Sequence, residues 1–434
     1  MLLPRLMSPG LMSESLMSPR AKSPGPMSPG PMSRRQLLKG LSVAACSAAA
    51  APWMTTVTLA GSNGGQPLGE NRLIVVILRG AMDGLDVVRP VGDPDYAGLR
   101  PTLLAKPGAP LGNFYELHPA LTDLMPLWDK GELGFVHATS TPYRDKRSHF
   151  DGQDMLEAGT GMDVPLMAVR DGWMNRMLQA VPGLTSHTAF AMGADAMPLL
   201  QGEAPFLTWA PEERLPISAQ GEALLEAIYH DDPLFADASD EAIMLSRQFN
   251  PDAAGDMMAA PAAKPGAAVR DVQVLAKYAA GQLREDTRIA TFSLSGWDTH
   301  RSQVTALPVA LSRLKGLILA LREDLGAPVW DKTVLLAMTE FGRTAHENGS
   351  KGTDHGTAGA MVMAGGALRG GQVYGKWPGL SDAALYAGRD LMPTSDVRAW
   401  AGWAMHQMYG FAPSVIQGSI FPGLDMGPNP GFLL

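Results

Sequence analysis

The feature that most constrains this chain is a run of β-branched and apolar residues, LIVVIL, at positions 73–78. An apolar run of strand length without polar alternation is typical of a strand covered on both faces of a largely parallel sheet. The run ends at once in the sequence RGAMDG, which places Asp83 on a loop at the carboxyl end of the predicted strand. That edge is where open α/β sheets bind their ligands.

The last third of the chain alternates between helical and strand patterns. The predicted order is a helix over 270–284, the strand RIATFSLSG, a helix over 302–325, the strands KTVLLAMTEF and AMVMAGG, and a helix near 395–409. A further helix is predicted over 118–130, before the strand ELGFVHA. This alternation predicts an α/β fold, a doubly wound and mostly parallel sheet with helices on both faces. We expect one such domain over 72–434, with an irregular insertion over about 164–271 that contains a Pro/Ala-rich stretch.

Composition restricts the chemistry that the chain can support. A net charge of -8 without a long basic run argues against nucleic acid and anionic membrane surfaces as partners. A single cysteine, Cys46, excludes an internal disulfide framework, a four-cysteine iron-sulfur site and a zinc ribbon. Any bound metal must therefore be held by Asp, Glu and His side chains.

The N-terminal region has two parts with different patterns. Residues 1–32 are a low-complexity leader of Met, Ser and Pro that we expect not to be native, with Met32 as the natural start. Residues 33–60 begin with Ser-Arg-Arg-Gln-Leu-Leu-Lys and continue without charge, which predicts a twin-arginine signal peptide cleaved near Ala60. This pattern implies transient contact with the twin-arginine translocase and a periplasmic or extracellular location.

Three other interpretations are compatible with this region. A basic surface pair followed by a loop is compatible with the residues, and so is a membrane anchor, although Pro52 interrupts the apolar stretch. Cys46 follows Val-Ala-Ala as in a lipobox, so lipidation is a further alternative. Without it, membrane contact is expected only during export.

Acidic and histidine side chains recur where predicted strands begin or end. These candidates are Asp83, Asp298, His300, Glu340, Asp354 and His355. Loops at the carboxyl ends of parallel strands meet at one edge of a sheet, where such side chains suit a divalent ion such as zinc, manganese or calcium. Taken singly, each has an ordinary structural explanation: a turn, a helix cap, a buried partner for Arg343, or a plain loop.

Ser148 begins a predicted helix after the basic loop TSTPYRDKR. Ser148 and Asp151 together form a capping-box-like helix start that needs no catalytic role. In the functional interpretation Arg147 is a candidate catalytic cation beside this serine. Arg144, Lys146 and Arg147 would then attract an anionic group to the helix start.

Several motifs carry a family resemblance in order along the chain. They are SHFDGQD, GWDTH, TEFGRT, NGSKGTDHG, GGQVYGKWPGL and DLMPTSDVR. Together they resemble the exported domain-of-unknown-function family 1501 from about residue 72 to the end. That family is in turn similar to the alkaline phosphatase superfamily, which includes sulfatases.

The resemblance implies roles for individual residues. Asp83 would match a metal aspartate and Ser148 the nucleophile, while Asp298, His300 and His355 would match the other metal site. The chain departs from the superfamily at Asp-Thr-His, where D-x-x-x-H is usual, and at Glu340-Phe341-Gly342, where D-H-G is usual. A second metal site would then rely on Asp83, Ser148 and Glu340 or Asp354.

Two function classes follow from these observations. The first is an exported metal-dependent hydrolase of phosphate or sulfate esters, or a related transferase, that uses a serine nucleophile on a small anionic ester. The second is a noncatalytic periplasmic binding or scaffold protein on a degenerate phosphatase-like fold, which binds a carbohydrate, an envelope component or a partner protein, with or without a metal. Function belongs to the site and not to the fold, so both stand at this point.

Overall fold

The LIVVIL run lies inside a nine-stranded sheet, in β1, with strands on both sides of it. The computed structural model describes residues 68–162, 169, 171–193, 195–210 and 267–434. The predicted leader and signal peptide lie outside these residues, and so does most of the Pro/Ala-rich stretch. The strands are β1 Arg72–Arg79, β2 Val88–Arg89, β3 Ala109–Leu111, β4 Tyr115–Leu117, β5 Leu133–Ser140, β6 Ala189–Met192, β7 Leu207–Trp209, β8 Ile289–Ser295, β9 Thr333–Met338, β10 Gly359–Ala364, β11 Val373–Tyr374 and β12 Ser395–Asp396.

The sheet is mostly parallel, as the sequence predicts. Its strand order is β11, β5, β10, β9, β1, β8, β6, β7, with β12 also paired to β5. Strand β10 is the exception, because it pairs antiparallel with both β5 and β9. The loop before β10 therefore lies at the same edge as the loops that follow β1, β8 and β9. A separate small sheet has the order β2, β4, β3.

Helices cover both faces of the large sheet, which confirms the predicted α/β class. The longer ones are α1 His149–Ala158, α2 Trp173–Gln179, α3 Ala267–Arg284, α4 Gln303–Leu325 and α5 Val397–Tyr409. Shorter α-helical turns are Gly84–Val87, Tyr96–Leu99, Met125–Asp129, Ala327–Trp330 and Pro413–Val415. Segments of 3-10 helix are Pro119–Leu124, Ser186–Thr188 and Pro198–Leu200, and Ile416–Ile420 is a π-helix.

Alternation along β1 explains why an unbroken apolar run is needed there. Ile74, Val76 and Leu78 point into the core formed with α3 and α4. The intervening residues of β1 point into the opposite core, with α1, α2 and α5. Both faces of β1 therefore bury apolar side chains, and such burial stabilises the fold by about 25 cal/mol per Å² of apolar surface.

Helix α4 is long and apolar enough to cross a membrane by length and composition. It nevertheless packs on the sheet, and Leu311, Leu314 and Leu317 on its inner side are fully buried. Its apolar character is thus accounted for by core packing.

Two segments differ from the pattern predicted for them. The helix predicted over 118–130 is divided into the 3-10 segment Pro119–Leu124 and the α-helix Met125–Asp129. Pro126 explains the division, because proline has no N–H for a continuous helix and its ring clashes with the preceding turn. Within the predicted insertion, β6 pairs with β8 and β7 with β6, so this stretch contributes two strands to the sheet.

Candidate metal centre

Three histidines from different segments surround one oxygen of Asp298 at the carboxyl edge of the sheet. The Nε2 atoms of His149, His300 and His355 lie 3.4, 3.1 and 3.5 Å from Asp298 Oδ1. The Nε2 atoms of His300 and His355 are 2.9 Å apart. The ligand atoms of His149, Asp298 and His355 all lie within 4.8 Å of one another, a spacing that suits one metal ion.

Each imidazole ring is held from behind at Nδ1 by an oxygen acceptor. The pairs are His149 with Glu340 Oε1 at 2.8 Å, His300 with Asp354 Oδ1 at 3.1 Å, and His355 with the carbonyl oxygen of Arg147 at 2.9 Å. An acceptor at Nδ1 keeps the proton on that atom and leaves the Nε2 lone pair available, as in carboxylate–histidine–metal sites. Two Nε2 lone pairs 2.9 Å apart repel each other unless a proton or a cation lies between them. The donor set therefore fits a divalent ion.

Asp298 reaches this position because two loops approach each other closely. Gly80, with a φ of +118°, leaves no room for a side chain, since a Cβ there would lie 2.7 Å from the backbone nitrogen of Asp298. Trp297 is fully buried, and its indole Nε1 donates to the carbonyl of Leu294. The loop after β8 is thus packed against the loop after β1.

Arg343 connects the loops around the centre. Its buried guanidinium donates to Asp298 Oδ1 at 2.6 Å and to the carbonyls of Gly80, Ala81, Trp297 and Thr353. Burial opposes ionisation of Asp298, but the hydrogen bond and charge of Arg343 outweigh it and hold the pKa of Asp298 below its ordinary value. The carboxylate is therefore charged and fixed in direction.

Glu340 is a buried carboxylate that lies behind His149. Besides the ring of His149, its Oε1 accepts from the backbone N–H groups of Gly80 and Ala81 and from Gln153. Burial opposes its ionisation, yet the hydrogen bonds from His149 and Gln153 help to hold the pKa of Glu340 below the usual range. The Glu340 hydrogen bond in turn raises the pKa of His149. Glu340 thus influences the centre through its hydrogen bond to His149, which orients the imidazole ring.

Aromatic packing fixes the ring of His149. Phe341 stacks on His149 at a centroid distance of 5.2 Å and on Tyr143 at 5.8 Å. Helix α1 approaches this stack through Gly152, where a Cβ would lie 3.0 Å from the Phe341 ring. The start of α1, and His149 with it, is held tightly against the loop after β9.

Asp83 lies in a different, fully buried network. Its Oδ2 accepts from Arg100 and from Gln303, both at 2.6 Å. Burial opposes its charge, but Arg100 and Gln303 keep the pKa of Asp83 lowered. Its other oxygen, Oδ1, has no hydrogen-bond partner among the described residues.

Ser148 and Arg147 border the centre at the start of α1. Ser148 Oγ accepts a long hydrogen bond of 3.4 Å from the backbone N–H of Asp151, and the Ser148 N–H donates to the Tyr143 hydroxyl. Arg147 has a left-handed backbone with φ of 86° and presents its carbonyl to His355. Its side chain is exposed.

The centre is open to solvent on one side. The side chains of Asp298 and Asp354 are 47% and 51% exposed. The Asn348 hydrogen bond lowers the pKa of Asp354, and burial lowers that of His355. A ligand therefore has access to a site that holds two charged carboxylates.

The structure brings together most of the residues singled out in the sequence. Asp298, His300 and His355 form the centre, while Glu340, Asp354 and the backbone of Arg147 orient its rings. Asp83 and Ser148 are not among the side chains gathered around Asp298 Oδ1. His149 was not among the predicted site residues, because helix packing or a surface position explained it equally well, although its place directly after Ser148 at a predicted helix start was a usable signal.

Solved structures show limited likeness to the chain. One is a protein in the alkaline phosphatase superfamily from Vibrio parahaemolyticus, with 13% identity over 88% of this chain and 76% of that chain and a TM-score of 0.37. Another is the PsFucS1 sulfatase from Pseudoalteromonas sp., with 14% identity over 88% and 78% and a TM-score of 0.37. Such low scores assign neither residues nor activity to this chain.

Sequence comparison identifies the family of the chain. No curated protein matches it significantly. A family model described as "Protein of unknown function (DUF1501)" matches residues 139–400, which include every histidine of the candidate metal centre and more than half of the chain. The chain belongs to the DUF1501 family.

Proposed function

We propose that the protein is a divalent-metal-dependent hydrolase of phosphate or sulfate esters. The proposal is based on the convergence of three histidine Nε2 atoms on Asp298. The Nδ1 atom of each of these rings is hydrogen-bonded to an oxygen acceptor. Imidazole nitrogens suit zinc better than calcium, so zinc is the favoured ion among those the sequence allows. Catalytic zinc is typically held by three His, Asp or Glu ligands and keeps a further position for water or substrate.

Ser148 is the proposed nucleophile. Its Oγ would form a bond to phosphorus or sulfur while the ester bond to the alcohol breaks, and the serine proton would leave with the alcohol. Water would then release phosphate or sulfate and restore the hydroxyl. A bound divalent ion would stabilise the charge that develops on the transferred group. The 3.4 Å hydrogen bond from the Asp151 N–H to Ser148 Oγ is longer than the 2.7–3.2 Å typical of N–H···O bonds. This capping hydrogen bond is therefore weak.

Cations beside the centre support an anionic substrate. Lys146 and Arg147 are exposed just before the start of α1. Arg389 donates to the carbonyl of His355 at 3.0 Å. Positive charge next to a helix start favours phosphate or sulfate groups.

A noncatalytic binding protein is the second candidate. Two observations favour it. Asp83 Oδ2 accepts hydrogen bonds from Arg100 and Gln303, and Ser148 accepts the hydrogen bond of a helix cap, so both side chains have structural roles. In this alternative the centre binds a metal or an envelope component without turnover. Under either candidate, we propose that the protein works outside the cytoplasm.

Metal analysis of the purified full chain tests the proposal. We expect about one zinc per chain, and we expect His149→Ala and His300→Ala each to weaken zinc binding at least tenfold. His346→Ala is the matched control, because this imidazole is exposed in the same region. Zinc binding together with turnover of aryl phosphates or sulfates supports the hydrolase. Zinc binding without turnover across a broad ester panel supports the noncatalytic alternative, and equal zinc binding by all variants refutes the centre.

A further inference from the structure

Phe150 is unusually exposed for an aromatic side chain. It is 82% exposed and directly follows His149 in the first turn of α1. Among the described residues it is the one phenylalanine, tyrosine or tryptophan that lies largely in solvent. Exposed apolar residues are common on surfaces, so position decides whether one has a role. Here Phe150 is the next residue in the sequence after a candidate metal ligand, His149, at the start of the same helix.

The position of Phe150 is fixed by the packing of α1. The buried side of this helix consists of Gly152, Met155, Leu156 and Glu157. Gly152 meets the ring of Phe341, and Glu157 is ion-paired with Arg79 at 2.7 Å. With that side buried inside the protein, Phe150 is left on the solvent side of the first turn.

The segment that leads into this turn is polar and conformationally constrained. Asp145 and Arg147 both have a left-handed backbone, with φ of 63° and 86°. Such conformations cost on the order of 1–3 kcal/mol each and persist where the surroundings enforce them. Lys146 and Arg147 are exposed here. Positive charge and an aromatic face thus occur within five residues of chain, on either side of His149.

We propose that Phe150 is a specificity-determining residue that contacts the organic group of the ester, and that this group carries a ring with an apolar face. The anionic end of such a substrate binds at the metal centre beside Lys146 and Arg147, and its ring packs on Phe150. This inference rests on the proposed function and names its substrate class. Burying one face of a phenyl ring is expected to change affinity by roughly tenfold.

Binding of stable analogues to the zinc-loaded full chain tests the inference. The probes are phenylphosphonate with methylphosphonate, and benzenesulfonate with methanesulfonate, measured by isothermal titration calorimetry. In at least one pair we expect the aromatic member to bind about tenfold more tightly to the wild type. Phe150→Ala should reduce that ratio to within about twofold and leave the affinity for the methyl member and for zinc unchanged. Phe150→Trp should keep the preference.

A matched control separates a local effect from a general one. Val309 is 60% exposed on α4, so Val309→Ala removes an exposed apolar side chain elsewhere and should leave the ratio as in the wild type. If methyl analogues bind but Phe150→Ala retains the aromatic preference, the inference on Phe150 fails and the proposed function stands. If no analogue binds to the zinc-loaded protein, both fail.

Discussion

The hydroxyl of Ser148 accepts a long hydrogen bond from the Asp151 N–H at the start of α1. A helix cap and a nucleophile both place serine at such a position. A cap stabilises the folded state by about 1 kcal/mol, whereas a nucleophile is required for turnover. The two roles therefore predict different results for one substitution.

We expect Ser148→Ala to abolish hydrolysis of an aryl phosphate or sulfate and to leave zinc content unchanged, because the candidate metal ligands remain in place. Steady-state kinetics and metal analysis on the same preparation check this. The matched control is Ser302→Ala, since Ser302 precedes α4 and its side chain makes no capping bond there. A stability loss of about 1 kcal/mol with normal turnover would show that Ser148 is a cap.

Two glycines in helices test how tightly the elements around the centre are packed. Gly152 of α1 faces Phe341, which is itself stacked between His149 and Tyr143. Gly281 of α3 has open space where a Cβ would lie. The same substitution should therefore have opposite effects at the two positions.

We expect Gly152→Ala to lower the free energy of unfolding by about 1–3 kcal/mol, because Phe341 has little room to move. Zinc affinity should fall with it, since His149 moves with α1. Gly281→Ala should raise stability by about 0.5–1 kcal/mol through helix propensity alone and leave zinc binding unchanged. Urea unfolding and zinc titration of the two variants check these values. Equal behaviour of the two variants would contradict the close packing of α1.

At the scale of the whole molecule, buried neutral histidines link stability to pH. Burial lowers the pKa of His137 to about 4, and the ring donates from Nε2 to the Val88 carbonyl while Nδ1 accepts from the Ala138 N–H. A proton on Nδ1 of His137 would point at the Ala138 N–H, which is itself a donor, so protonation would break this hydrogen bond. The unfolded chain takes up this proton near pH 6.5, so the contribution of His137 is present above 6.5 and is lost as pH falls toward 4.

We expect the free energy of unfolding to fall by about 2 kcal/mol between pH 7.5 and pH 5 on account of His137. His118 has its pKa lowered by burial to about 4 and adds a change of the same sign. His149, whose pKa is raised, contributes in the opposite direction. Urea unfolding at both pH values checks this, with His137→Gln as comparison. A variant with the same pH dependence as the wild type would contradict the assignment to His137.

The proposed export concerns the whole chain and depends on residues outside the described structure. We expect replacement of both Arg34 and Arg35 by Lys to retain the uncleaved protein in the cytoplasm, because twin-arginine signals require the arginine pair. Cell fractionation and immunoblotting of wild type and variant check this. Normal export of the double variant would contradict the prediction.

Much of the fold could be predicted because it rests on local patterns. The LIVVIL run specifies a strand buried on both faces, and the last third alternates between helical and strand periods. Strand ends also indicated Asp298, His300 and His355, because loops at one sheet edge must converge. By itself the sequence thus determined the fold class and the edge at which the chemistry lies.

Only the tertiary structure decided which side chains meet there and in what role. The hydrogen bond between His149 and Glu340 spans 191 residues, and that between Arg343 and Asp298 spans 45. Such pairings depend on strand order and on the antiparallel direction of β10, neither of which a local pattern encodes. Asp83, which the sequence offers as a ligand, is paired through Oδ2 with Arg100 in the buried interior. A buried carboxylate needs a partner wherever the fold places it, and the fold alone supplies that partner.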